Sequence, residues 1–213
     1  VLGVTLSKEQ HALAEERARS AGVGDRVRFE LRDYREIDQK FDRIVSVGMF
    51  EHVGVQRYDE FFAKVGQLML EDGVMLLHSI GHMSPPSTAS PWLRKYIFPG
   101  AYSPSLSEVF PAVERNRLWV TDCEFLRLHY AMTLRHWHTR FEKNRDRIAQ
   151  MYDERFCRMW EFYLISAEMM FRTGAQEVFH MQLSHKRDAS PIRRDYIVDA
   201  LRQLKSREAE RLK

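Results

Sequence analysis

Two hydrophobic rhythms alternate along the first eighty residues. Val1-Leu2-Gly3-Val4-Thr5-Leu6 is an apolar run with no polar alternation, which predicts a strand buried on both faces. Ser7 then opens a stretch of helical spacing, with Gln10 three residues on as in a capping box, and Gly22 and Gly24 end it. Residues 27–31 read as a second strand, and residues 41–48, with Ile44-Val45-Ser46-Val47, as a third. A helix follows over residues 58–70, closed by Asp72-Gly73, and residues 74–80 form a fourth strand. Strand and helix in alternation predict an α/β fold with a doubly wound, mostly parallel sheet. Ligands of such sheets lie beyond the C-terminal strand ends. Thr5, Asp33, residues 49–52 and His78 all fall at such ends.

After His82 the rhythm breaks. Residues 83–106 hold five prolines among serines and aromatics, which predicts a long loop or lid. Residues 118–126 resemble another strand. An aromatic-rich helix is expected over residues 133–163, continuing to Thr173 before Gly174. A final strand is expected at residues 178–183, and a helix from Asp195 onward in an Arg-rich tail. The domain reading is one catalytic unit over residues 1–185, with an inserted lid and helical cap at 83–173, followed by a basic tail at 186–213.

Composition narrows the function classes. The net charge of +3 is too small to argue for nucleic acid, though it tolerates an anionic lipid surface. Cys123 and Cys157 have no metal spacing and read as free thiols of a reduced, cytoplasmic protein. No apolar run approaches the roughly 20 residues that span a bilayer, so membrane contact is expected to be peripheral.

The densest chemical signal is Ser46-Val47-Gly48-Met49-Phe50-Glu51-His52-Val53-Gly54, where a carboxylate and an imidazole adjoin at a strand end. Alone, such a pair is as readily structural as catalytic. Two further segments change the weighting: Leu76-Leu77-His78-Ser79-Ile80-Gly81 and His129-Tyr130-Ala131-Met132-Thr133-Leu134. Tyr58-Asp59 and Tyr96-Ile97-Phe98-Pro99-Gly100 complete an ordered set.

On these motifs, from Gly3 to about His185, the chain resembles the cyclopropane-fatty-acyl-phospholipid synthases and mycolic acid cyclopropane synthases. The resemblance implies a class I methyltransferase fold, S-adenosylmethionine as cofactor, and an unsaturated phospholipid acyl chain as substrate at the membrane surface. It also implies bound bicarbonate as the base, held by Glu51, His78, Tyr130 and the backbone of Ile80. By the same resemblance Thr5, Leu6 and Gln10 flank the ribose and methionine portions of the cofactor. Asp33 and Tyr34 flank the adenine, Val47 lies near the sulfonium, and His52 is a further cofactor-binding residue. Plainer readings stand beside these: His78 as a core histidine, Tyr130 as a packed aromatic, Gln10 as the capping partner of Ser7, and Tyr34 as a turn residue. No metal is expected, and a homodimer is left open.

The family's first strand and Gly-rich turn are expected to precede Val1, so the chain reads as N-terminally truncated, with a gap between the strands at Val1 and Phe41. This leaves three functions in view: cyclopropanation, methylation without ring closure, or lipid binding without catalysis. Phe156, Trp160, Tyr163, Met170 and Phe171 are expected as core, with an acyl-channel wall as the alternative. Arg193, Arg194, Arg202, Lys205, Arg207, Arg211 and Lys213 are expected as a solvated face, with headgroup attraction as the alternative.

Overall fold

A computed structural model describes residues 1–211. The chain divides into two compact units, Val1–Lys40 and the residues from Phe41 onward.

In the first unit, strand β1 (Leu2–Thr5) pairs in parallel with β2 (Arg28–Leu31), and helix α1 (Lys8–Ser20) connects them. Ser7 caps α1 by accepting the Gln10 N–H at 3.2 Å. Gly22, at φ +65°, turns the chain out of the helix. A Cβ at Gly3 would stand 2.5 Å from the Phe29 ring, so any larger residue there requires that ring to shift. Ala18 and Ile37 are the buried apolar side chains of this unit.

The second unit begins with β3 (Phe41–Val47), then α2 (Tyr58–Leu68) and β4 (Met69–Gly81). Next come α3 (Pro91–Tyr96), α4 (Leu106–Arg115) and β5 (Trp119–Phe125). Helices α5 (His129–Lys143), α6 (Arg145–Met151) and α7 (Glu154–Arg172) lead to β6 (Glu177–Ser184) and α8 (Asp195–Arg211). The sheet order is β3-β4-β6-β5. The β3–β4 pair is parallel, while β6 runs antiparallel to both β4 and β5, so the sheet is mixed. The expected turn at Asp72-Gly73 is a bulge: Phe41 pairs with Met69, and pairing resumes at Arg43 with Val74.

Side-chain alternation divides the two faces. Met75, Leu77, Phe179, Met181 and Leu183 point one way and are fully buried, on the side of the α2 and α4 residues Phe61, Phe62, Val109 and Ala112. Each such side chain contributes about 1.5–3 kcal/mol through burial. On the other face Val178 joins a second cluster built by α5 and α7 around Leu134, Cys157, Leu164 and Phe171.

Three further expectations need correction. Strands β1, β2 and β3 are not buried on both faces. Val45 and Val47 are 65% and 62% exposed, because among the described residues β3 pairs only with β4 and its outer residues lack cover. The single helix expected over 133–173 is three. Asn144 breaks it by bonding the Arg140 carbonyl at 2.8 Å, and extended Asp153 restarts it by capping the Phe156 N–H at 2.6 Å. The segment 83–106 contains α3, and α4 starts from a Ser105/Glu108 capping box. The helix expected from Asp195 is present as α8.

Candidate active site

Glu51 lies in a 3-10 turn (Phe50–His52) directly after β3, and Gly48 makes that turn possible at φ +65°. Phe50 is fully buried, stacked on Tyr58 at 4.3 Å, and this anchors the turn. The Tyr102 N–H donates to the Glu51 carbonyl at 2.8 Å. The side chain is 9% exposed, and its Oε1 accepts the Ile80 N–H of β4 at 2.7 Å. Its Oε2 is buried with no hydrogen-bond partner. A buried carboxylate oxygen without a donor is costly unless something else supplies one.

Glu51, His52, Ile80 and Tyr130 line one cavity of about 960 Å³. Its remaining walls are largely apolar, with Trp92, Leu93, Phe98, Phe162, Tyr163 and Phe171 among them. Tyr130 packs on Phe171 with ring centroids 4.9 Å apart. Burial pushes the Tyr130 hydroxyl above its ordinary value, and the charge of Glu51 adds to this. Burial likewise pushes Tyr163 up to about 12. These phenols stay protonated as hydrogen-bond donors at neutral pH.

His78 sits within β4 opposite His180 of β6, and its Nδ1 lies 2.8 Å from His180 Nε2. Burial, then the neighbouring His180, hold the His78 imidazole below the ordinary histidine value, against an upward pull from Glu51. His78 feels the Glu51 charge but is not a wall of the cavity, unlike the other three expected holders.

The residues expected at the cofactor sit differently. Thr5 Oγ1 bonds Gln10 Oε1 at 3.0 Å and accepts the Ser7 N–H at 3.2 Å. The Gln10 side chain therefore turns to Thr5, and the reciprocal half of the expected capping box is not formed. Leu6 is 71% exposed. Asp33 caps the turn at Tyr34 and is held by Arg35, whose Nη2 lies 2.7 Å from Oδ2. In the second unit Val47 is exposed and Gly48 has open space where a Cβ would point, so the backbone at the end of β3 is bare. Bare backbone at such a strand end fits the close approach of a nucleoside ligand.

The arrangement matches known proteins. The signature of the family described as mycolic acid cyclopropane synthetase matches residues 1–181. The chain belongs to this family. The cyclopropane-fatty-acyl-phospholipid synthase of Escherichia coli strain K12 is 41% identical over 184 residues, covering 86% of this chain and 47% of that protein. Tuberculostearic acid methyltransferase UfaA1 of Mycobacterium tuberculosis is 39% identical over 189 residues, covering 86% of this chain and 44% of that protein. The solved structure of mycolic acid cyclopropane synthase CmaA1 complexed with SAH and CTAB superposes with a TM-score of 0.79 at 32% identity, covering 86% of this chain and 69% of that one. The chain thus spans about half the length of these curated relatives, and its fold is that of the class I methyltransferases.

Within this family member the sequence motifs missed His180, the partner of His78. An antiparallel pairing of residues 74–80 with 178–183 would have suggested it. They also missed His82, 5% exposed, whose Nδ1 lies 3.0 Å from the Ser84 carbonyl and whose Nε2 is buried without a partner. The stripe on α7 divides. Tyr163, Met170 and Phe171 line the cavity, whereas Phe156 and Trp160 stack on each other. Of the basic run, Arg194 pairs with Asp122 and Arg193 with Asp195, while Lys213 lies outside the described residues. Among the described residues no helix is long and apolar enough to cross a membrane. His138, Glu142 and Glu161 bring donor atoms within 4.8 Å of one another, but Arg145 already bonds both carboxylates, which disfavours a cation.

Proposed function

We propose that the chain belongs to an enzyme that transfers a methylene carbon from S-adenosylmethionine to the cis double bond of an unsaturated phospholipid acyl chain, closing a cyclopropane ring with bound bicarbonate as base. The observation that carries this reading is Glu51. One oxygen is fixed by the Ile80 N–H and the other is buried without a donor at the wall of a largely apolar cavity. A hydroxyl satisfies such an oxygen, and bicarbonate has one.

In this reading Glu51 Oε2 accepts the bicarbonate hydroxyl, and the Tyr130 O–H and a His78 N–H donate to its other oxygens. The Ile80 N–H, already on Oε1, is shared with the anion. S-adenosylmethionine, when bound, supplies a sulfonium methyl, the electrophile that a weakly nucleophilic alkene needs. Ring closure requires the added methyl to lose a proton. The chain's part is to hold an oxygen base there, where a lysine amine would itself be open to methylation. The aromatic and aliphatic walls exclude water from the acyl chain, with residues 83–173 as lid and cap. Thr5, Leu6 and Gln10 are assigned to the ribose and methionine portions of the cofactor, Asp33 and Tyr34 to the adenine, Val47 to the sulfonium, and His52 to the cofactor without a specified portion. The protein works in the cytoplasm, peripheral to the membrane.

Methylation without ring closure is the second reading, favoured by the similarity to a tuberculostearic acid methyltransferase. Expression of the complete reading frame in a host lacking such lipids separates the two, by mass and proton NMR of the extracted fatty acids. One added CH2 per alkene with ring-proton signals and no olefin supports cyclopropanation. Retained olefin or a new hydroxyl supports the second reading, and unaltered fatty acids overturn both.

A further inference from the structure

The imidazole pair of His78 and His180 has a proton inventory that restricts what His78 can do. His78 and His180 occupy directly opposed positions on antiparallel strands, so both side chains leave the same face of the sheet. At 2.8 Å, Nδ1 of one and Nε2 of the other share a single hydrogen. Two arrangements of the neutral pair satisfy this. In the first, His180 Nε2–H donates to His78 Nδ1, and the His78 proton resides on Nε2. In the second, His78 Nδ1–H donates to His180 Nε2, and His78 Nε2 is a bare lone pair. Only the first lets a neutral His78 donate a hydrogen bond to an anion.

We infer that His180 is a positioning residue that fixes His78 in the Nε2–H tautomer and so makes it an anion donor. The 2.8 Å pairing is independent of the bicarbonate reading above, and the choice of the first arrangement rests on that reading. Two carboxylates face the pair, and the one nearest His78 favours its charged form. Glu51 acts on His78 from the turn after β3, and Glu124 of β5 lies opposite His180 with Arg194 3.5 Å from its carboxylate. Burial and the second imidazole hold His78 below the usual histidine value, so near neutral pH the tautomer decides its role rather than a second proton. A buried imidazole with a fixed partner on one nitrogen has its other nitrogen defined, as metal-bound histidines also show.

The test uses nitrogen-15 histidine labelling of the full chain, with the His78 signal assigned by its loss in His78→Gln. Long-range proton–nitrogen spectra should show His78 with Nδ1 unprotonated and Nε2 protonated. His180→Gln, whose amide N–H can still donate, should keep that tautomer. His180→Leu, which suits a half-buried strand position, should release it to a mixture and weaken carbon-13 bicarbonate binding about twofold, the factor by which the donating tautomer is diluted. Finding the proton on Nδ1 in the unaltered chain overturns the inference. So does bicarbonate binding that is the same in His180→Leu and His180→Gln. If the unaltered chain shows the expected tautomer, kept in His180→Gln and released in His180→Leu, yet binds no bicarbonate, the bicarbonate reading fails and the assignment of His180 stands.

Discussion

The unit Val1–Lys40 and the unit from Phe41 onward are built on opposite terms. The first has two parallel strands, one helix and two buried apolar side chains. Its polar groups at the strand ends are held by short local bonds: Thr5 by Gln10 and Ser7, and Asp33 by Arg35. The second has a four-stranded sheet with fully buried side chains on one face, a second core on the other, and a cavity whose one orphaned carboxylate oxygen belongs to Glu51. Polar chemistry can thus be displayed by local hydrogen bonding with little core beneath it. Desolvating a carboxylate takes packed elements on several sides.

Mutations can break this contrast, starting with the largest effect. Leu77→Ala should cost about 2–5 kcal/mol in urea unfolding, because Leu77 is fully buried between β3 and β6. Leu6→Ala, at a position 71% exposed, should stay within about 0.5 kcal/mol. Equal losses would mean that the first unit has a core of its own. Next, Glu51→Gln should raise the barrier to product formation by about 2–4 kcal/mol, the size expected for one charge-assisted bond in a dry site. Thr5→Ala should cost only about 1 kcal/mol, read as a higher KM for the cofactor. Turnover of Glu51→Gln close to that of the unaltered enzyme would remove Glu51 from the chemistry.

The smaller effects are pH profiles. Because His78 titrates lower when folded, the unfolded chain binds its proton first. Its contribution is therefore full above the ordinary histidine value of 6.5 and is lost as pH falls below it. His78→Gln should flatten that acid slope in thermal melts, and an unchanged slope would show that other groups set it. Glu177 is the reverse case, since burial raises its carboxyl above the ordinary 4.5 while His82 pulls it back. Folding is then disfavoured as pH rises through that value. Glu177→Gln should raise Tm slightly at pH 7 and leave it unaltered in acid below 4.5. A gain equal at both pH values would point to packing instead.

The six strands of the described residues were legible as runs bounded by turn residues, because a short strand needs little more than its own pattern, although β4 starts at Met69, five residues before its expected run. What the pattern could not give was partnership. Val45 and Val47 look as buried in sequence as Leu77 and Leu183, yet burial depends on having a strand or helix on each side. The pause at Asn144 and the restart at Asp153 rest on side-chain bonds to backbone that compete with an otherwise continuous helical stripe. Glu51, Ile80 and Tyr130, which the motifs singled out, share a cavity wall. His180 lacked a motif, because its meaning arises only from register across 102 residues of chain.

The placement of β6 also bears on how the protein is made. Among the described residues it is the last strand in sequence, yet it lies between β4 and β5. During synthesis, β3 and β4 can pair as soon as they emerge, and β5 can form, but neither gains its inner neighbour until residues 177–184 leave the ribosome. Until then β4 presents an open edge flanked by apolar side chains, the kind of surface that recruits other chains. The closing contacts are long-range, so the step that completes the sheet is slow on the scale of helix formation. A nascent chain halted between β5 and β6 is therefore the species in which aggregation competes most directly with folding.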